Sequence, residues 1–488
     1  MRARARTETG ISPRRWLRLS VVFLVLGAAA AFFAPRVEPE EWWIHGLWCA
    51  VAFLCALPLL LSVFRRSFSV VLTDHRVVFL GAYCLYFVFG AALLAVGPQE
   101  EVRNALNLYR IGAGDALRVD AMNGLGFGMA LLISVFARGR WLGAQTGRVA
   151  ARMGRLSATA VIATFLILGA AATFYRIPFD IGLREGGIPG SVRIIGQLSL
   201  VAILLSASAR GPHERMFRLL AVAQTVLLVL VGALQLMKTE ALLPLAVLTA
   251  GLALRFGSRR VLPIGLSALV LAYLFLGGLV SRGRVAVLSA GSSSTLGDRL
   301  TYLRQGWAST RDEPGAREYD YWSRLCYVPT QAASIDLRDG GRGGNGLALI
   351  PWLFVPRVLA PDKPQITAMH GELHRKITGS DGSSTAPGIF VSGYYHAGWW
   401  GLWLASALCG WIVAQTSAIA RAIHAHQAPL LMPLSLLGMF IAFRIDGDFI
   451  TEYLGVFVFI LYPLLAAMLM LSVAENRARY RSRERAVS

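Results

Sequence analysis

Runs of apolar residues as long as a bilayer core is thick decide what this chain can fold into. Twelve of them lie near 16–34, 42–64, 77–96, 121–137, 156–175, 194–209, 217–237, 239–254, 261–280, 399–416, 429–445 and 453–473. A helix crosses the hydrocarbon core with about 20 such residues. The connections hold nearly all the charge, and 55% of residues are hydrophobic against 16% charged, with mean hydropathy +0.55. A soluble protein of this length is excluded. The expected fold is an all-α polytopic membrane protein of about 12 transmembrane helices.

The net charge of +20 does not point to nucleic acid, because it is not spread over one surface. If the N-terminus is cytoplasmic, the cytoplasmic connections carry essentially all of the excess and the opposite side is close to neutral. RGRWLGAQTGRVAARMGR (138–155) and RARYRSRER (477–485) are the clearest cases. This is the positive-inside rule carried through twelve crossings, and it places both termini in the cytoplasm of a bacterial inner membrane. Arg2, Arg4 and Arg6 before the first run read as a retained signal anchor rather than a cleaved signal. Cys49, Cys55, Cys84 and Cys409 fall in apolar runs and Cys326 stands alone outside, which is packing rather than a disulfide framework.

The domain reading follows: nine helices in 1–280, a large extracytoplasmic segment 281–398 with short amphipathic helices, three helices in 399–473, and a basic tail 474–488. In the large segment, LGDRLTYLRQGW sets Leu296, Leu300, Leu303 and Trp307 on one helical face. DGGRGGNG (339–346) breaks the chain, NGLALIPWLFVPRVLAP follows as an interfacial stretch, and GSDGSSTAPG (379–388) is a loop.

MHGELHR (369–375) raises a metal question, since His370 and His374 share a helical face with Glu372 between them. The order differs from the zinc-peptidase pattern and no third ligand is obvious nearby, so contact with glycan or solvent is the expectation. Few ionisable groups lie in the runs themselves: His45 is one, while Lys238, Glu240 and Arg444 mark outer ends. No carboxylate is expected near mid-membrane, which argues against an ion-coupled carrier. Cations gather instead at the outer boundary: Arg176, Lys238, Arg357, Lys363 and Arg444. Guanidinium groups bind phosphate oxygens in pairs, so a lipid diphosphate fits that depth; snorkelling anchors fit it as well.

VPRVLAPDKP (355–364) followed by STAPGIFVSGYYHAGWWGLW (384–403) resembles the pattern of Wzy-type polysaccharide polymerases, and LQLMKTEALLPLAVLTAGL (234–252) resembles that family's outer turn. The resemblance covers the order of the spans and about 150 residues of the second half. O-antigen ligases share the plan, and both groups are placed with lipid-linked sugar transferases of the GT-C type. The resemblance implies polymerisation of undecaprenyl-diphosphate-linked repeat units into O-antigen or exopolysaccharide at the periplasmic face. The partners implied are a lipid-linked oligosaccharide donor and acceptor, membrane lipids, and a chain-length regulator and flippase of the same pathway. Neither metal nor soluble cofactor is required, and no phosphate-binding loop for a nucleotide is present.

Such a reaction needs cations for the leaving diphosphate and a base for the attacking hydroxyl. Arg176, Lys238, Arg357, Lys363 and Arg444 are the candidates for the first role. His396 in YYHAGWW is the preferred base, with Glu372, His370, Asp446 and Asp448 as alternatives, and Tyr394 and Tyr395 are candidates to stack on sugar rings. An interfacial histidine beside Trp399 and Trp400 is the plainer reading of His396. The alternatives are a glycan ligase, which differs in its acceptor, and a lipid-linked oligosaccharide flippase or other transporter.

Overall fold

The computed structural model describes the chain except for residues 1–10, 65–68, 98–108, 138, 154–156, 185–187, 189, 212, 236, 291–294, 302, 305–324, 356–358, 361, 380–384 and 488. Helix is the only regular secondary structure among the described residues, and nine of their helices are long and apolar enough to cross a membrane. This is the architecture of a polytopic membrane protein.

Two groups of helices share the work. The first contains α1 (Pro13–Phe33), α2 (Trp42–Phe64), α3 (His75–Val96) and α4 (Ala113–Phe136), followed by the amphipathic α5 (Arg140–Met153). The second contains α6 (Ala158–Asp180), the short α7 (Leu198–Ser208), α8 (Glu214–Leu234), α9 (Lys238–Phe256) and α10 (Ser258–Ala290). The chain then forms α11 (Val328–Asp339) and α12 (Ala368–Thr378), and ends in α13 (Ile389–Ala425), α14 (Met432–Phe443) and α15 (Val456–Val487). The last three return to the first group, and Met432 and Leu436 of α14 also pack against buried clusters of the second.

Lipid tails are as apolar as leucine, so helices in a bilayer gain by close packing rather than by escaping water. Glycines provide that closeness here. A methyl group on Gly27 of α1 would lie 2.6 Å from the Leu125 nitrogen of α4, and one on Gly128 would lie 2.9 Å from the Leu24 nitrogen. One on Gly410 of α13 would lie 2.1 Å from the Ala130 carbonyl oxygen of α4. Between these contacts sits an aromatic centre in which Tyr83 stacks on Phe127 at 4.0 Å and Phe23 meets both edge-on at 5.0 Å.

The feature that positions the candidate site is a reversal inside α13. Ala397 (φ −143°, ψ 21°) and Gly398 (φ 63°, ψ −147°) leave the helical region, the latter in a conformation that only glycine adopts without strain. Residues 393 and 405 of a continuous helix would be about 18 Å apart at 1.5 Å per residue. A methyl group on Gly393 would instead lie 2.8 Å from the Ala405 Cβ and 2.4 Å from the Gly401 carbonyl oxygen. The chain therefore folds back: an arm Ile389–His396 lies against the long arm that follows. The arm begins deep in the protein, where the Phe390 ring lies against Gly126, level with the middle of α4. The tenth apolar run, placed at 399–416 from hydropathy, is thus preceded by a buried re-entrant arm rather than by a surface loop.

The Gly410 contact sets a prediction. Gly410→Leu must push α13 from the α4 backbone, and overpacking of this kind costs about 1–3 kcal/mol. Thermal unfolding in detergent should show a clear loss in Tm for Gly410→Leu, and little change for Trp400→Ala, whose side chain is 85% exposed.

Candidate active site

His396 ends the re-entrant arm and is 7% exposed; Asp448, at 2%, caps the helical turn that leads into α15. Asp448 Oδ1 accepts from the backbone N–H groups of Ile450 (2.8 Å) and Thr451 (3.3 Å), which fixes the carboxylate. Its Oδ2 faces His396 Nε2 at 3.4 Å. On the other side of the ring, the Gly346 backbone N–H donates to His396 Nδ1 at 3.1 Å. A backbone N–H only donates, so Nδ1 is the unprotonated nitrogen and Nε2 carries the hydrogen toward Asp448. The result is an imidazole whose basic nitrogen is defined by two backbone-anchored partners.

The glycine run DGGRGGNG, which the sequence presents as a chain break, is a close-fitting cover over this ring. A methyl group on Gly344 would lie 2.4 Å from His396 Nδ1, and one on Gly346 would lie 2.6 Å from its Cε1. Arg338, at the end of α11, donates to the His396 carbonyl at 3.2 Å. Around the pair, His370 Nε2 meets Thr451 Oγ1 at 3.2 Å, and Tyr327 donates to Asp446 at 3.0 Å. Arg444 pairs with Glu452 at 2.9 Å and with Asp446 at 3.5 Å.

Electrostatics follow from these partners. Burial alone would raise the Asp448 carboxyl, but the His396 hydrogen bond, the nearby His396 and His370 rings and the Ile450 N–H together hold it below the usual carboxylate range. Burial works to lower Arg444, and the Glu452 and Asp446 carboxylates outweigh it and raise it. The site therefore holds a base with a set tautomer, an ionised carboxylate behind it, and a guanidinium already neutralised by two acids. Such a set can accept a proton from a hydroxyl and hold the resulting imidazolium.

The other sequence candidates distribute unevenly. His396, Asp446, Arg444 and His370 come together, whereas Glu372 is half exposed and pairs with Lys376 at 2.8 Å. His374 Nδ1 meets Thr385 Oγ1 at 2.8 Å, so the two histidines of MHGELHR are turned to different partners, 370 to the site and 374 to its own loop. Tyr394 and Tyr395 are buried; their hydroxyls bond Asp339 (2.7 Å) and Lys376 (3.3 Å), so neither ring is a stacking surface. Lys363 donates to the Val355 carbonyl at 2.9 Å. Arg357 and the Lys238 side chain lie outside the described residues.

Arg176 belongs to a different place. It pairs with Asp180 at 3.1 Å and lines a small cleft in the second helix group, whose other polar residues are Thr173, Gln197, Gln235 and Glu240. The expected single group of cations is therefore not assembled among the described residues. The expectation of no carboxylate within the spans is also overturned. Hydropathy starts the fourth apolar run at 121 and leaves Asp120 just outside it, but α4 begins at Ala113 and encloses Asp120 at 1% exposure. Sequence reasoning missed Gly343–Gly346, Arg338, Thr451 and Tyr327; the density of glycines in 339–346 was the available signal. No protein-family profile, no curated protein and no solved structure matches the chain.

Two outcomes test the geometry. Because the Asp448 carboxyl is held below its unfolded value, its stabilisation is present above about pH 4, the ordinary carboxylate pKa, and is lost as pH falls through the depressed value. Asp448→Asn should therefore lower Tm at pH 7, and its deficit against wild type should shrink as the pH is taken below 4. Gly344→Val should also lower Tm, by forcing the cover off the His396 ring.

Proposed function

We propose that the protein is a membrane glycosyltransferase that polymerises lipid-diphosphate-linked oligosaccharide repeat units at the extracytoplasmic face of a bacterial inner membrane. The observation that carries this reading is the His396–Asp448 pair, a base of fixed tautomer at the end of a re-entrant arm. His396 belongs to the stretch that has the sequence resemblance to Wzy-type polymerases. The charge alternation along the sequence assigns this end of the bundle to the outside.

In the proposed reaction, the hydroxyl of a lipid-linked repeat unit attacks the anomeric carbon of a growing chain on undecaprenyl diphosphate. The new glycosidic C–O bond forms as the anomeric C–O bond to the diphosphate breaks, and the lipid diphosphate departs with the bonding pair. His396 Nδ1 takes the hydroxyl proton once the Gly346 N–H is displaced from it. Asp448 keeps the imidazole in that tautomer and stabilises the imidazolium; it acts through His396 and is a positioning residue. Arg338, reaching the His396 backbone, is the guanidinium best placed to meet the departing diphosphate, because Arg444 is neutralised by Asp446 and Glu452.

A ligase would use the same chemistry with another acceptor. The flippase or transporter reading is favoured by one observation, the buried Asp120 with its His45 partner.

Reconstituted protein given a lipid-diphosphate-linked repeat unit should produce a ladder of longer lipid-linked glycans, and should do so in the presence of a strong chelator. His396→Ala should reduce the rate by about 100-fold or more, as removal of a general base does. Asp448→Asn should lower kcat and shift its pH profile. Arg176→Ala, in the separate cleft, should raise KM with kcat little changed. Full activity of His396→Ala would remove the base from the mechanism.

A further inference from the structure

A second set of ionisable groups lies among α2, α3 and α4. His45 and Asp120 are 0% and 1% exposed, and His45 Nδ1 lies 2.6 Å from Asp120 Oδ2. His45 Nε2 lies 2.9 Å from the Ala91 carbonyl oxygen. A carbonyl oxygen only accepts, so Nε2 carries a hydrogen. The contact at Nδ1 must then contain a second proton, on the nitrogen or on the oxygen, because otherwise two lone pairs would face each other at 2.6 Å. With that proton the pair is neutral as a whole, either imidazolium with carboxylate or imidazole with carboxylic acid. Without it, a bare carboxylate would sit in an apolar enclosure, which is among the costliest arrangements a membrane protein can hold.

We propose that His45 and Asp120 form an intramembrane proton-binding site, with one proton held between Nδ1 and Oδ2. The titratable groups that face it are Cys49, whose Sγ lies 3.9 Å from His45 Nε2, Tyr83 of α3, and Cys326 just before α11. All three are neutral or anionic when they titrate, so none replaces the proton as a counter-charge. Asp120 Oδ1 is enclosed with no hydrogen-bond partner, a polar atom facing the site that the packing leaves unsatisfied. His45, Cys49 and Asp120 also bring three possible metal ligands within 4.8 Å of one another. A separation of 2.6 Å between nitrogen and oxygen is a hydrogen bond, however. Two donors on one ion, each about 2.0 Å from it, stand further apart.

The site is tied to the outer elements by its own helix. Three residues beyond Asp120 on α4, Asn123 exchanges a pair of amide hydrogen bonds with Gln331 of α11 at 3.2 and 3.3 Å. Two residues before it, Arg118 pairs with Asp339 at the end of α11. The proton site thus lies beneath the element that carries Arg338 to the His396 backbone. It stands independently of the transferase reading.

The test uses the full chain with 15N-labelled histidine in lipid nanodiscs, followed by nitrogen NMR and by infrared difference spectra from pH 6 to 9. The expected result is one histidine with both nitrogens protonated, or one carboxylic-acid stretch, that persists at pH 9. A doubly protonated histidine should be lost in both Asp120→Asn and His45→Gln, a carboxylic-acid stretch should be lost in Asp120→Asn, and either signal should be unchanged in Cys49→Ala. A neutral imidazole with an ionised carboxylate at pH 9 in the wild type would overturn the proposal, and this reading needs no variant to fold. Stoichiometric Zn2+ bound by the wild type and lost in Cys49→Ala would overturn it as well, in favour of a metal.

Discussion

A peptide group inside a bilayer must find its hydrogen-bond partner within the protein. The re-entrant arm Ile389–His396 depends on this constraint, and most of the candidate site depends on the arm. Its first N–H donates to the Ile445 carbonyl at 3.0 Å, and Ser392 Oγ accepts from the Phe449 N–H at 3.1 Å, so the α14–α15 connection completes what the broken helix leaves open. The same connection carries Arg444, Asp446 and Asp448. Enclosing the arm also requires backbones to approach closely, which is why glycines at 393 and 401 meet where the chain reverses.

Charge burial follows one rule in three places. His396 with Asp448, His45 with Asp120, and Arg76 with Asp74 each bring an acid against a base with little or no solvent. Removing one partner from such a pair costs about 3–5 kcal/mol; the two histidine pairs also tie separate segments together, while Asp74, two residues from Arg76, reaches α1 by accepting from Trp16 Nε1 at 3.3 Å. The pairs differ in what surrounds them. His45 and Asp120 are sealed by helices, whereas His396 is covered by a segment that meets its ring through Gly344 and Gly346, which have no side chains to interlock. That difference separates a pair sealed between packed helices from one closed by a glycine-rich cover.

The helical membrane architecture was legible because hydropathy over twenty residues measures burial in lipid directly. The reversal at Ala397–Gly398 was not, since an apolar window reads YYHAGWWGLW as the approach to one span and cannot register that 393 lies beside 405. Asp120 falls outside the predicted run for a related reason: Asp115, Arg118 and Asp120 lower local hydropathy enough to trim the span, although α4 continues about two turns past Asp120 to the neighbourhood of Pro39. His396 and the carboxylates of RIDGDFITEY were each visible as chemistry-bearing residues. Their pairing was not, because the two are brought together by the α13 and α14 helices between them. The cations failed differently: Arg176 and Arg444 both lie at helix ends, yet the first pairs with Asp180 in another helix group, and a sequence pattern of boundary arginines carries no information about which boundary position they share.

The central claim is that this protein lengthens a lipid-linked glycan. It is tested most directly by the lipid-linked glycan profile of a strain lacking it, resolved by gel and mass spectrometry. The account predicts single repeat units on the lipid in place of long chains, restored to long chains by the wild-type protein. Long chains that accumulate on the lipid without reaching an acceptor would contradict polymerisation and assign the His396 site to glycan ligation.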